Sequence, residues 1–261
     1  MLGRFNGENI TGAFAMAYEA GIPATKIISA IKNFGGIRRR LERRYEGDVT
    51  VLDCHAPTPE KAAAVLEAWY PGIQGANGVA DVLFGDVDPA GRLTTTFPRS
   101  IGQVPMYYNH LNTGRPGTGE YKGTYVDIPT TPLYPFGFGL AYTTFEYGKV
   151  ELSAPVLKLG ETLTAKVSVK NTGLRAGTEV AQLYIRALAA SAGPRPVREL
   201  KGFQKVLLQP GESRDVTFTI SGHELGYYDA KGRWIVEPGK FQIWIAKDSA
   251  SGEPVNFSLT Q

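Results

Sequence analysis

Apolar residues in the first part of the chain recur at the three- and four-residue spacing of a helix, whereas beyond residue 146 they alternate with polar ones. Ile10, Ala13, Phe14, Ala17 and Tyr18 share one face, and Gly21 with Pro23 stops the run, so the spacing predicts a helix over 9–20. Thr25 is the expected N-cap of a second helix, in which Ile27, Ile28 and Ile31 share a face before Gly35 and Gly36 end it. Val49, Val51 and Leu52 predict a short strand over 48–53, and Thr58 followed by Pro59 opens a third helix over 60–69. Val79, Val82 and Leu83 predict a short helix over 78–84, and the β-branched run ending at Phe97-Pro98 predicts a short edge strand.

In the last segment Leu163, Ala165, Val167 and Val169 alternate with Thr164, Lys166, Ser168 and Lys170, the period of a strand with one wet face. Similar runs over 179–186, 203–208, 216–220, 233–236 and 241–245 are separated by turn signals such as Asn171-Thr172-Gly173, Pro210-Gly211 and Pro238-Gly239. Short strands between turns, with no helix of note, predict an antiparallel β-sandwich. Between the two patterns lies 133–145, where rings alternate with Pro135, Gly137 and Gly139. It fits neither a long helix nor a central strand and reads as a structural joint, with sugar stacking as the alternative. The expected fold is α+β and multidomain: a small α/β N-terminal portion followed by a C-terminal antiparallel β-sandwich, divided as 1–66, 67–145 and 146–261.

Composition changes this picture little. With 261 residues, 43% hydrophobic and 20% charged, the chain has room for about two ordinary globular domains. The net charge of +3 sits mainly in Arg38, Arg39, Arg40, Arg43 and Arg44, which reads as a solvated face and predicts no nucleic-acid partner. The single Cys54 excludes an internal disulfide. In a strand His55 would point away from it, so a buried structural thiol is expected rather than a nucleophile. Residues 1–12 form no apolar export segment and no later stretch is long enough to cross a bilayer, so as written the chain is expected in the cytoplasm, without a membrane partner.

Candidate chemistry is sparse. Asp86 and Asp88 lie in a Gly-rich loop that lacks the spaced oxygen ligands and distal glutamate of a calcium site, so turn chemistry is expected, with no metal and no cofactor. The loop from Tyr107 to Asp127 combines rings with hydrogen-bonding groups, the mixture a pyranose needs. Arg115, Tyr125 and Asp127 are its candidate sugar-binding residues, against the plainer reading of a surface loop stabilised by tyrosines.

Gly3-Arg4-Phe5-Asn6-Gly7-Glu8-Asn9, then Phe34-Gly35-Gly36 with Arg40 and Glu42, then Val51-Leu52-Asp53 resemble the end of the central domain and the start of the C-terminal domain of Mur-type ATP-dependent ligases. That resemblance implies nucleotide contacts at Asn6, Asn9 and Arg40. Cys54 stands where the family has a second acid, and the chain contains no Gly-x-x-x-x-Gly-Lys-Ser/Thr loop to cradle phosphates, so ligase activity is not expected.

Ala68-Trp69-Tyr70-Pro71-Gly72, Ala80-Asp81-Val82-Leu83-Phe84-Gly85-Asp86, Pro89-Ala90-Gly91-Arg92-Leu93 and Phe97-Pro98-Arg99-Ser100 occur in the order seen in glycoside hydrolase family 3 β-glucosidases. The resemblance implies the C-terminal part of that family's α/β-sandwich domain. Val169-Lys170-Asn171-Thr172-Gly173, Arg198-Glu199-Leu200-Lys201-Gly202-Phe203 and Glu237-Pro238-Gly239 resemble the fibronectin type III-like domain attached to many members, whose sandwich is Ig-like. The two family 3 likenesses cover about 65–261, and the join with the ligase-like segment is expected inside the helix over 60–69.

By this resemblance the parent activity is retaining hydrolysis of terminal β-linked glucose in a periplasmic or secreted enzyme. Its nucleophilic aspartate and acid/base glutamate come from regions that no stretch here matches, and Glu67, Asp81 and Asp127 fall in no catalytic pattern. The chain is therefore expected to be inactive alone. A β-glucoside or oligosaccharide would be met through the catalytic domains, and exposed apolar faces would favour self-association. The alternatives are a carbohydrate-binding or scaffolding module and a ligase-related nucleotide binder.

Overall fold

The computed structural model of the chain describes residues 23–26, 66–70, 72, 74–112, 125–191 and 193–261, together with the backbone of 40–46 and 50–54. It divides into two compact units, Met1–Phe84 and Gly85–Gln261.

In the first unit β1 (Arg40–Glu46) and β2 (Thr50–Cys54) form an antiparallel pair, with Arg40 opposite Cys54 and Glu46 opposite Thr50. β2 is the strand expected over 48–53, and the arginine run supplies its partner. Residues 24–26 are already helical and Lys26 N donates to Pro23 O, so Thr25 lies within the first turn and is not its N-cap. The helix expected over 9–20 falls outside the described residues, as does most of the one over 60–69. The latter's described end is irregular: 66–69 are not helical, and Trp69 has φ 51, a left-handed conformation that no residue of a right-handed helix adopts. α1 (Gly75–Phe84) begins at Gly75 rather than at 78.

The second unit is a sandwich. Its strands are β3 (Phe145–Tyr147), β4 (Glu151–Leu152), β5 (Val156–Lys158), β6 (Leu163–Asn171), β7 (Gly177–Ala187), β8 (Glu199–Leu208), β9 (Ser213–Ile220), β10 (Tyr227–Tyr228), β11 (Trp234–Ile235), β12 (Gly239–Ala246) and β13 (Val255–Thr260). A one-turn helix, α2 (Gly222–Leu225), follows β9; Ser221 caps it by accepting from His223 N, and Glu224 accepts from Ser221 N. One sheet has the order β5-β13-β12-β7-β8, antiparallel except that β5 runs parallel to β13. The other is built on β6, which pairs β9 along one edge and β3 and β4 along the opposite edge. β10 and β11 form a separate small hairpin.

Alternation sets what the sheets bury. Leu163, Ala165, Val167 and Val169 of β6 and Val216, Phe218 and Ile220 of β9 face Ala181, Leu183, Ile185, Ile243, Ile245, Phe257 and Leu259 of the other sheet. Each large aliphatic side chain buried in this way stabilises the fold by about 1.5–3 kcal/mol before ordering costs.

β7 departs from alternation, because its outward residues Val180, Gln182 and Tyr184 are buried as well. Of the described residues between 85 and 144, which form a loop layer, Gly137 and Tyr108 meet that face, and Asp88, Arg92 and Thr143 bind one end of the sandwich. Part of this stretch was expected as an edge strand ending at Phe97, but only Phe97 pairs, in an isolated bridge to Tyr134. Leu93 instead exchanges backbone bonds with Gly137 and Phe138. Pro98 removes the donor that would continue a ladder. The aromatic joint over 133–145 thus belongs to the same compact unit as the sandwich.

Candidate functional site

Polar side chains in this unit concentrate where the loop layer meets the sandwich. Glu179 shares the inward parity of Ala181 and Leu183 but lies at the end of the core, where it is nearly fully buried and meets Arg92 Nη2 at 3.1 Å. Tyr147 donates its hydroxyl to Glu179 Oε1 at 2.9 Å. Burial, then the adjacent Glu179 charge, hold this phenol far above the usual tyrosine range. Asp88 accepts from Tyr142 N and Thr178 N, each at 2.8 Å, tying the loop to the start of β7. The sequence had suggested a local turn role for Asp88; its partners are instead 54 and 90 positions away.

On the outer face of β7, Gln182 donates to Gly137 O and Lys247 O, and Tyr184 donates to Gln182 Oε1 at 2.6 Å. Gly137 has φ +80, and a Cβ there would collide with the Gln182 amide, so only glycine serves. Arg198 lies over the Trp244 ring at 4.2 Å and donates to Ser249 O and Ser251 O. Desolvation lowers its affinity for a proton, partly opposed by the neighbouring Tyr184 and the buried Asp248 carboxylate.

The rings of the joint are engaged by one another and by neighbouring side chains. Tyr134 stacks on Phe138 at 5.1 Å and meets Phe97 edge-on, while Phe136 stacks on Tyr108 at 4.1 Å. Tyr125 and Asp127 are exposed and line neither of the two depressions described below. Arg115, Asn6 and Asn9 lie outside the described residues, and of Arg40 only the backbone is described.

Retaining glycoside hydrolysis needs two carboxyl groups about 5 Å apart across one sugar. Among the described residues several carboxylates are ion-paired, while the buried Asp248 accepts from Ala250 N and Ser251 Oγ at 2.9 and 2.7 Å. Besides Glu179, Glu151 and Asp215 share Lys166 at 3.5 and 3.3 Å on an open strand surface, and Glu199 sits between Arg195 and Lys201 at 3.3 and 3.1 Å. A depression of about 380 Å³ near Pro155, Lys240 and Phe257, and one of about 270 Å³ near Asn112, Arg186 and Arg195, contain no Asp or Glu in their walls.

Two facing sheets with a short capped helix and a covering loop layer define a fibronectin type III-like β-sandwich. Residues 179–249 match the fibronectin type III-like domain and residues 47–142 match the glycosyl hydrolase family 3 C-terminal domain, so this stretch corresponds to the C-terminal part of glycosyl hydrolase family 3 proteins. The family 3 match begins upstream of the division expected at 66 and 67.

Similar proteins include a periplasmic β-glucosidase of Salmonella typhimurium, 47% identical over 204 residues, which make up 77% of this chain and 26% of that protein. A β-xylosidase of Formosa agariphila is 43% identical, over 77% of this chain and 27% of its own length. Among solved structures, a β-glucosidase from Listeria innocua in complex with glucose matches with a TM-score of 0.71 and 39% identity, covering 77% of this chain and 28% of that one. A β-glucosidase from Erythrobacter marinus matches with a TM-score of 0.67 and 45% identity, covering 74% and 24%. The chain spans about a quarter of the length of these relatives.

Proposed function

We propose that this chain serves as the C-terminal, non-catalytic portion of a β-glucosidase-type glycoside hydrolase, buttressing domains that remove terminal β-linked glucose with retention of configuration. What supports the reading is the succession of two modules of one family, over 47–142 and 179–249, joined by buried polar ties rather than by a catalytic pair. The charged groups of those ties, Asp88, Arg92 and Glu179, hold the loop layer on the sandwich.

The test has two arms. The purified chain is expected to give no turnover of an aryl β-glucoside, and turnover above background would overturn the non-catalytic reading. Added to a family 3 β-glucosidase truncated before the matching region, it is expected to restore hydrolysis, and failure to restore it would overturn the buttressing role.

The exposure of Tyr125 and Asp127 favours a second reading, a carbohydrate-binding or scaffolding role. Calorimetric titration with oligosaccharides would then give heat that is lost in Tyr125→Ala. The ligase likeness of the opening segment rests on its residue pattern alone. Nucleotide held by Asn6, Asn9 and Arg40 would raise the melting temperature on addition of ATP, and without a phosphate-binding loop no rise is expected.

A further inference from the structure

Outside the loop layer, one group of rings is exposed and yet firmly supported. Trp234 of β11 meets Tyr228 of β10 at a centroid distance of 4.9 Å and 69°, and His223 of α2 at 6.0 Å and 37°. Trp234 is 44% exposed, Tyr228 69%, and the His223 side chain 85%. A Cβ on Gly226 would collide with the indole, so the glycine lets the Trp234 ring seat against backbone while part of it stays exposed.

The scaffold beneath is fixed at every corner. Tyr227 donates its hydroxyl to Glu237, which also accepts from Ser191, and the Arg195 guanidinium lies over the Tyr227 ring at 4.1 Å. Asp229 accepts from Lys231 N and Arg233 N at 2.9 Å each, closing the hairpin turn, and Ser221 with Glu224 caps the helix that carries His223. A core aromatic would be buried, and a loosely held surface ring would not need this support. Large apolar rings that are both exposed and preorganised point to a ligand, because little ordering remains to oppose binding.

We propose that the exposed part of the Trp234 indole is a stacking platform for the flat face of a β-linked gluco-oligosaccharide, with Tyr228 standing nearly perpendicular beside it and His223 tilted at its edge. The C–H groups of a β-glucopyranose present an apolar face to an indole, while its equatorial hydroxyls reach outward. The Tyr228 hydroxyl and the His223 imidazole, whose Nδ1 lies 3.2 Å from Glu224 Oε1, offer hydrogen-bonding partners at the edge. The choice of a glucan over other ring-bearing ligands rests on the β-glucosidase reading above. The platform itself rests on geometry.

The chain has three tryptophans, Trp69, Trp234 and Trp244, so the indole N–H resonances of the full chain can be followed separately during titration with laminari- or cello-oligosaccharides. A saturable shift confined to Trp234 is expected. Calorimetry should show association weakened about tenfold or more in Trp234→Ala, partly kept in Trp234→Phe, and reduced in Tyr228→Ala, with unchanged thermal melting certifying the fold. If Trp234→Ala melts early, Tyr228→Ala and His223→Ala carry the test.

No saturable shift at Trp234, binding that survives loss of the ring in a folded variant, or a shift produced by a proline-rich peptide and not by the sugar would each overturn the proposal. Binding is measured without turnover, so a chain that binds but fails to restore hydrolysis would remove only the functional reading. A chain that restores hydrolysis but does not bind would remove only the platform.

Discussion

Asn171 has no exposed surface, and its amide is fully engaged. Its Nδ2 donates to Arg175 O at 2.8 Å and Leu208 O at 3.0 Å, and its Oδ1 accepts from Thr143 Oγ1 at 2.6 Å and Gly173 N at 3.0 Å. One side chain therefore joins the end of β6, the turn after it, the end of β8 and the loop layer. Asn171→Ala leaves several of these groups buried and unpaired and is expected to cost about 2–3 kcal/mol, read as a lower denaturant midpoint with an unchanged slope. Glu237 makes the opposite kind of contribution, on the surface. Hydrogen bonds from Ser191 first, and from Tyr227 next, hold its carboxyl below the usual range. A carboxyl whose folded value is depressed stabilises fully above its unfolded value and loses that stabilisation as pH falls through the folded one. Melting temperature should therefore fall less steeply on acidification below about pH 4.5 in Glu237→Gln than in the parent chain. The turn at Asn171-Thr172-Gly173 is legible in the sequence, because the Gly173 bond is local. The bonds to Leu208 and Thr143 are not, since no spacing rule connects residues that meet only after the sheets close.

Strands reveal themselves when one face is wet. β6 and β9 were readable from alternation, and so in principle was β13, whose Phe257 and Leu259 point inward between exposed or half-buried neighbours. β3, β4 and β5 are too short to display a period. β7 was found but with its ends trimmed, since both of its faces are covered and its run of Val180, Ala181, Leu183, Tyr184 and Ile185 carries apolar residues on each. The covering element is held in part by Arg92 and Glu179, whose side chains are 9% and 5% exposed. Arg92→Met removes one partner and strands the other charge in the interior, at an expected cost of about 3–5 kcal/mol. The double change Arg92→Met with Glu179→Met should recover much of it, which a double-mutant cycle by chemical denaturation would measure.

For the molecule as a whole, the sequence divides at 145 and 146 by composition, whereas the contacts divide it at Phe84 and Gly85. Composition registers the change from loops to alternating strands. It is blind to Asp88, Arg92 and Gln182, which bind the intervening loops to the sandwich. Limited proteolysis should consequently leave a resistant product that starts near Gly85 and not near Phe145; a stable product confined to 146–261 would contradict that division. The candidate sugar residues of the long loop were chosen for their chemistry alone. Tyr108, from the same loop, turned out to be packing against Phe136 and accepting from Leu200 N, a role set by a partner far along the chain.

The position of β13 between β12 and β5 bears on how the chain is made. A ribosome delivers β5 about a hundred residues before the strand it must lie beside, so on the emerging polypeptide β5 has no neighbour in its own sheet until Val255–Thr260 has cleared the exit tunnel. The interval between synthesis of the two strands would thus set when that sheet can close.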